Sequence, residues 1–187
     1  MAARITAPLL AVALVAPWLT LSGAPRPTCP TEPIPLARLN AVAAAAPPPS
    51  SDDVAVPVGV RAATPDETGA LRDALEAFVA CGDAGEPLRV LALYTDRYLG
   101  ELLYRQGELT EEQYLDLARA DPADPDERTR LLAVSSVRAL GDGRVVGEAT
   151  IRYAVIPTPK RFVVTIARAD GAWRIDDVLG ELTFALP

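Results

Sequence analysis

Acidic and phenolic side chains carry what chemistry this chain can offer, and Asp177 leads them. If Asp170-Gly171 is a two-residue hairpin turn, Phe162 pairs with Leu179, Val164 with Asp177, Ile166 with Ile175 and Arg168 with Trp173. That register puts Asp177 on an apolar strand face. Loss of hydration there raises a carboxyl pKa and suits the group to general acid or base work. The competing reading is a bulge or longer turn that sends Asp177 to solvent or to an arginine. The phenols are Tyr94, Tyr98, Tyr104, Tyr114 and Tyr153. Tyr153 is the hydroxyl partner an enzyme built on Asp177 would use, whereas a buried tyrosine is ordinarily amphipathic core with a satisfied OH. Glu148, Thr150 and Arg152 share one strand face, where an ion-pair ladder accounts for them without catalysis. Trp173 reads as a core anchor ahead of a stacking platform.

Other chemistries are excluded by residue type. There is no histidine, hence no cysteine–histidine or serine–histidine pairing, and neither a phosphate loop nor a nucleophile elbow is present. Asp121, Asp124 and Asp126 are interrupted by Pro122 and Pro125 and lack the glycine and closing glutamate of a calcium loop. No metal or other cofactor is expected. A net charge of -7 with no Lys/Arg stripe argues against nucleic acid, whose phosphates need neutralising. Cys29 and Cys81 are the two cysteines. In an exported chain an even pair suggests a disulfide, which would close a long loop and stabilise by roughly 3–4 kcal/mol if unstrained. Two free thiols are the alternative. Lipidation of Cys29 is disfavoured, because Pro27-Thr28 is not the small-residue box such processing needs.

The elements that must position these groups are clearest over Leu131 to Phe184, which reads as two β-hairpins. From Val145 to Ile156 one alternate set is Val145, Gly147, Ala149, Ile151, Tyr153 and Val155, and the other carries the charges. Period-2 patterning of this kind marks a strand with one face on a core. Gly141-Asp142-Gly143 joins it to the preceding run. With Asp142-Gly143 as the loop, Leu140 faces Val145, Val134 faces Ile151 and Leu132 faces Tyr153. Pro157 and Pro159 mark the corner between hairpins. Upstream, Thr64-Pro65-Asp66-Glu67 is a capping box that opens a helix with an apolar stripe of Leu71, Ala74, Leu75, Phe78 and Val79, ended by Gly82. Helical spacing resumes at Pro87, breaks or restarts at Tyr94-Thr95-Asp96, and continues through Tyr98, Leu99, Leu102 and Leu103. A second capping box, Thr110 to Gln113, opens a short helix. Helices followed by antiparallel strands make an α+β domain over 64–187.

Residues 1–24 read as a signal peptide or N-terminal anchor. Arg4 supplies the positive end and Pro8 to Leu21 the apolar run, with Pro25 placed against cleavage after Ala24. Residues 25–63, rich in proline and alanine, read as an extended linker, with a short edge strand over Val54, Val56, Val58 and Val60 as the alternative. The domain is expected outside the cytoplasm. It would touch the membrane only through the N-terminal segment, if that is retained.

The capped helix, the short helices around Leu91 to Asp96 and the closing Ala169-Asp170-Gly171-Ala172-Trp173-Arg174-Ile175 resemble the nuclear transport factor two-like superfamily, and within it the SnoaL-like domains. The likeness covers about 64–182. It implies a cystatin-like α+β cone of at least four strands, curved around the helices over an apolar pocket. Phe78, Tyr94, Tyr98, Tyr153, Trp173 and Asp177 are the residues expected to line it. No catalytic motif of that family can be matched residue by residue, so none is carried over, and fold alone does not license a reaction. The reading is a non-catalytic module that binds a small apolar ligand or a protein partner. A homodimer through the open sheet face is one such partnership. The alternative is a small cofactor-independent isomerase, cyclase or hydrolase with Asp177 as base and Tyr153 beside it.

Overall fold

The structure is a computed structural model that describes residues 28–46, 60–104, 106–119, 121–156 and 158–180. The export segment 1–24, the valines at 54, 56 and 58, and the end of the domain at 181–187 lie outside the described residues. The fold is α+β. Five strands form one antiparallel sheet in the order β1 (Arg61–Ala62), β2 (Arg130–Ala139), β3 (Val145–Arg152), β4 (Lys160–Ala169) and β5 (Ala172–Leu179). The helices are α1 (Leu36–Ala45), α2 (Pro65–Asp83), α3 (Pro87–Leu91), α4 (Asp96–Leu103) and α5 (Glu111–Leu117).

α2 begins as its residue types dictate. The Thr64 hydroxyl accepts from the Glu67 amide, the Glu67 carboxylate accepts from the Thr64 amide, and Pro65 takes the first helical position. The bond from Arg61, and then the Thr64 amide, hold the Glu67 carboxyl down to about 2. The helix passes through Gly82 and runs to Asp83, one residue beyond the expected stop. Its terminator is Gly85, at φ 66°, where an added Cβ would fall 2.1 Å from the Asp121 carbonyl oxygen. Leu71, Leu75, Phe78 and Cys81 are buried along α2 where it crosses the sheet.

The sheet keeps its expected inner face but changes register. In the first hairpin the turn holds three residues, 141–143, because the Leu140 amide donates to the Arg144 carbonyl. Ala139 therefore faces Val145, Val134 faces Ala149 after one irregularity, and Leu131 faces Ile151 after a second. Each bulge inserts a residue, so the inward side chains of β2 (Leu131, Val134, Val137) come every third position and not every second. Ser136, inside the second bulge, has φ 55°. Left-handed backbone costs a residue with a Cβ about 1–2 kcal/mol, part of which glycine returns in unfolded-chain entropy. Ser136→Gly is accordingly expected to raise stability by about 0.5 kcal/mol, measured by urea unfolding.

The second hairpin has its two-residue turn, with Asp170 at φ 52° and Gly171 at φ 79°. Arg168–Trp173 and Ile166–Ile175 pair as expected. A bulge between Thr165 and Ile166 then shifts the rest: Thr165 pairs with Asp177, Val164 with Val178 and Val163 with Leu179. The outer edge of β5 is covered by the chain linking α3 to α4. The Ile175 amide donates to Leu93 O at 2.8 Å and the Thr95 amide to Ile175 O at 2.9 Å, so the edge is not left as a template for pairing.

The reading of 25–63 as an unpacked linker is corrected for residues 28–46. These form an arm ending in α1, which buries Ile34, Leu39 and Val42 and packs on α4 at Gly100. Asn40 grips Leu109 from both sides, its amide donating to Leu109 O at 3.0 Å and its oxygen accepting from Leu109 N at 2.8 Å. The Tyr114 hydroxyl reaches Ile34 O at 3.2 Å. Prolines at both ends of the arm resemble a tether, but the apolar residues between them have a core to enter.

Candidate functional site

A cleft of about 210 Å³ opens between the end of α2, α3 and α4. Its walls are Val90, Leu91, Leu102, Tyr94 and Tyr98, with Glu86 and Gln106 at the polar side. The chain folds this way because Pro87 starts α3 immediately after the Gly85 turn and the Thr95 hydroxyl caps α4, accepting from the Tyr98 amide. The bend between the two helices places Tyr94 and Tyr98 edge to face, ring centroids 5.2 Å apart. Burial pushes the Tyr94 hydroxyl well above its ordinary range. Burial, then the charges of Asp177 and Glu101, push Tyr98 up to about 12. Both phenols stay protonated near neutrality, and neither hydroxyl has a hydrogen-bond partner among the described residues. Protonated phenols of this kind are hydrogen-bond donors, not bases. The cleft adjoins a hollow of about 400 Å³ at Leu91 and Gln106, and another of about 330 Å³ at Gly82.

The residues expected to converge on one pocket are divided. Tyr94 and Tyr98 share the cleft, whereas Tyr153 lines the hollow beyond Gly82 with the edge of Phe78, otherwise buried in the core. Tyr153 meets Phe162 edge to face at 6.5 Å, and burial raises its hydroxyl to about 12. Trp173 sits elsewhere, half-buried under the Arg168 guanidinium at 4.9 Å. Glu148 bonds Arg161 on the neighbouring strand at 2.8 Å, not Arg152 on its own.

Asp177 does not occupy the apolar face. The β5 bulge pairs it with Thr165 on the side of the sheet away from Val164, and it lines neither the cleft nor the Tyr153 hollow. Its neighbour Asp176 is the one that is buried, 5 % exposed, a burial shared among carboxylates by Asp83 at the end of α2. Asp176 Oδ1 accepts from Thr95 Oγ1 at 2.8 Å and from Arg97 Nε at 3.1 Å, and Oδ2 from Arg144 Nη1 at 3.2 Å. Arg97 also donates to the Asp176 carbonyl. Burial alone would push this carboxyl up, but bonds from Arg97 and Thr95 and the charge of Arg97 carry it below its ordinary range. Three bonds, two of them charge-assisted, make this carboxylate a tie between α4, the β2–β3 turn and β5. The sequence does hold its signal. Ile175-Asp176-Asp177-Val178 sets two polar residues between two inward apolar ones, the pattern a bulge leaves.

Cys29 and Cys81 are joined as a disulfide that ties the arm to α2 across 52 residues. Among the described residues no group of three or more His, Cys, Asp or Glu is placed to hold a metal, and no helix is long and apolar enough to cross a membrane. Comparison with known protein families, with curated proteins and with solved structures finds no match to this chain.

Proposed function

We propose that this chain is an exported, non-catalytic module of the nuclear transport factor two-like kind, its sheet wrapped about the helices as a cone, that binds a small apolar molecule. One observation carries the reading: an apolar cleft lined by two protonated phenols whose hydroxyls have no hydrogen-bond partner among the described residues. Its size lies below the roughly 300–1,000 Å³ of drug-sized sites, which suits a ligand of one or two rings bearing a single acceptor. The disulfide supports a location outside the cytoplasm, where such bonds persist. An enzyme with Asp177 as base and Tyr153 beside it would need both over one cavity, and the register sends them to different places.

Leu102 stands at the mouth, 38 % exposed, where a larger side chain fits without disturbing the core. Saturation-transfer NMR with small phenyl ketones and indoles is expected to show contacts with the native protein. Leu102→Trp, at an unchanged melting temperature, is expected to weaken them at least about tenfold, the equivalent of about 1.4 kcal/mol. Contacts that survive in Leu102→Trp, or none in the native protein, would remove the cleft from consideration.

A further inference from the structure

The outer face of the sheet carries an arrangement that the fold itself does not reward. Arg130 and Arg152 are directly opposite on β2 and β3, and Arg161 on β4 is opposite Thr150. Ile151 and Ala149 point to the core, so alternation sends Arg152 and Thr150 outward, and their cross-strand partners Arg130 and Arg161 with them. All three arginines are exposed. Opposite residues in an antiparallel pair hold their Cβ atoms about 5 Å apart, and like charges there are destabilising. Glu148, the acid on the same strand face, is taken by Arg161. The side chains of Arg130 and Arg152 make no hydrogen bond or ion pair among the described residues. In a chain with a net charge of -7, this local surplus of cations runs against the composition.

We propose that Arg130 and Arg152, with Thr150 next along the same face of β3 and Arg161 opposite it on β4, form a binding site for a phosphate- or sulfate-type oxyanion. Guanidinium groups are planar forks that match the oxygens of such anions two at a time, and a hydroxyl beside them supplies one further donor. A doubly charged anion would turn a repulsive cross-strand pair into an attractive triad. The site lies on the face away from α2 and is independent of the cleft. Its ligand chemistry is shared by a free oxyanion and by the phosphate of a lipid headgroup.

Thermal unfolding of the full chain in sodium phosphate against sodium chloride at equal ionic strength tests the site. Phosphate is expected to raise the native melting temperature by about 3 °C or more, as selective binding to the folded state requires. Arg152→Thr should abolish that shift while melting no lower than the native protein in chloride, because it also removes the repulsion. A second arm sediments the protein with phosphatidylcholine vesicles that contain or lack phosphatidylglycerol. Phosphate-competed binding to the anionic vesicles assigns the headgroup. A phosphate shift without vesicle binding assigns a soluble oxyanion. Absence of a phosphate-specific shift, or an equal shift in Arg152→Thr, overturns the proposal.

Discussion

Removing the disulfide, as Cys29→Ala with Cys81→Ala, is expected to cost about 4 kcal/mol, because the bond closes a loop of 52 residues and its loss returns that entropy to the unfolded chain. For a domain of this size the melting temperature should fall by roughly 8–16 °C. The loss should not be uniform. The bond fastens the arm, which is also held by the packing of Ile34, Leu39 and Val42, the Ile34 amide on Leu88 O, the Tyr114 hydroxyl on Ile34 O, the Arg38–Asp96 ion pair, the Asn40 grip on Leu109 and the Arg89 bond to the Cys29 carbonyl. In the variant the Ile34 and Leu109 amides should exchange with solvent much faster, while the β3–β4 ladder stays protected. Calorimetry and amide exchange together check this. A variant that melts with the native protein and keeps the Leu109 amide protected would show that packing alone retains the arm. Protein made in a reducing compartment should behave like the variant, which bears on the proposed export.

The expected loss also shows where the sequence could be read and where it could not. Capping boxes are local: Thr64 and Glu67, or Thr110 and Gln113, need only each other and a following apolar stripe, so both helices start where the residues say. The Asp170-Gly171 turn is equally local, and the pairs nearest to it, Arg168–Trp173 and Ile166–Ile175, are those the turn dictates. Register farther along a hairpin is a running sum, and one inserted residue shifts every later pair. Counting from the turn alone puts Asp177 on the inner face, whereas Asp176 is what the bulge buries. The arm was illegible for a different reason. Its prolines argue for an extended chain, and only long-range contacts with α4, Leu88 and Leu109 reveal that the residues between them are core. The fold class followed from patterning, whereas a cleft made by the ends of three helices has no sequence period at all.

Asp176→Ala is expected to cost about 3 kcal/mol, and Asp177→Ala, one residue away, no more than about 0.5 kcal/mol. The difference follows from the bonds. Asp176 accepts charge-assisted bonds from Arg97 and Arg144 and one from the Thr95 hydroxyl while itself nearly inaccessible. The two guanidinium groups are partly exposed, at 45 % and 35 %, and can return to water. That keeps the cost below the extreme for a wholly buried pair. Because the folded carboxyl titrates below its unfolded value of about 3.9, its contribution is complete above that pH and disappears as the pH falls through the lower folded value. Glu67, held down to about 2, weakens in the same acid range. The informative quantity is therefore the difference in urea midpoint between native protein and Asp176→Ala, expected to be constant from neutrality to about pH 4 and to shrink below it. A difference that does not shrink at all as the pH falls below about 4 would mean that packing, not charge, is what Asp176 supplies. The same variant reaches the cleft: Thr95 caps α4 and Arg97 follows it, so releasing Asp176 loosens the turn that orients Tyr98. Ligand contacts should weaken with Asp176→Ala and hold with Asp177→Ala, an order opposite to that of an enzyme whose base is Asp177.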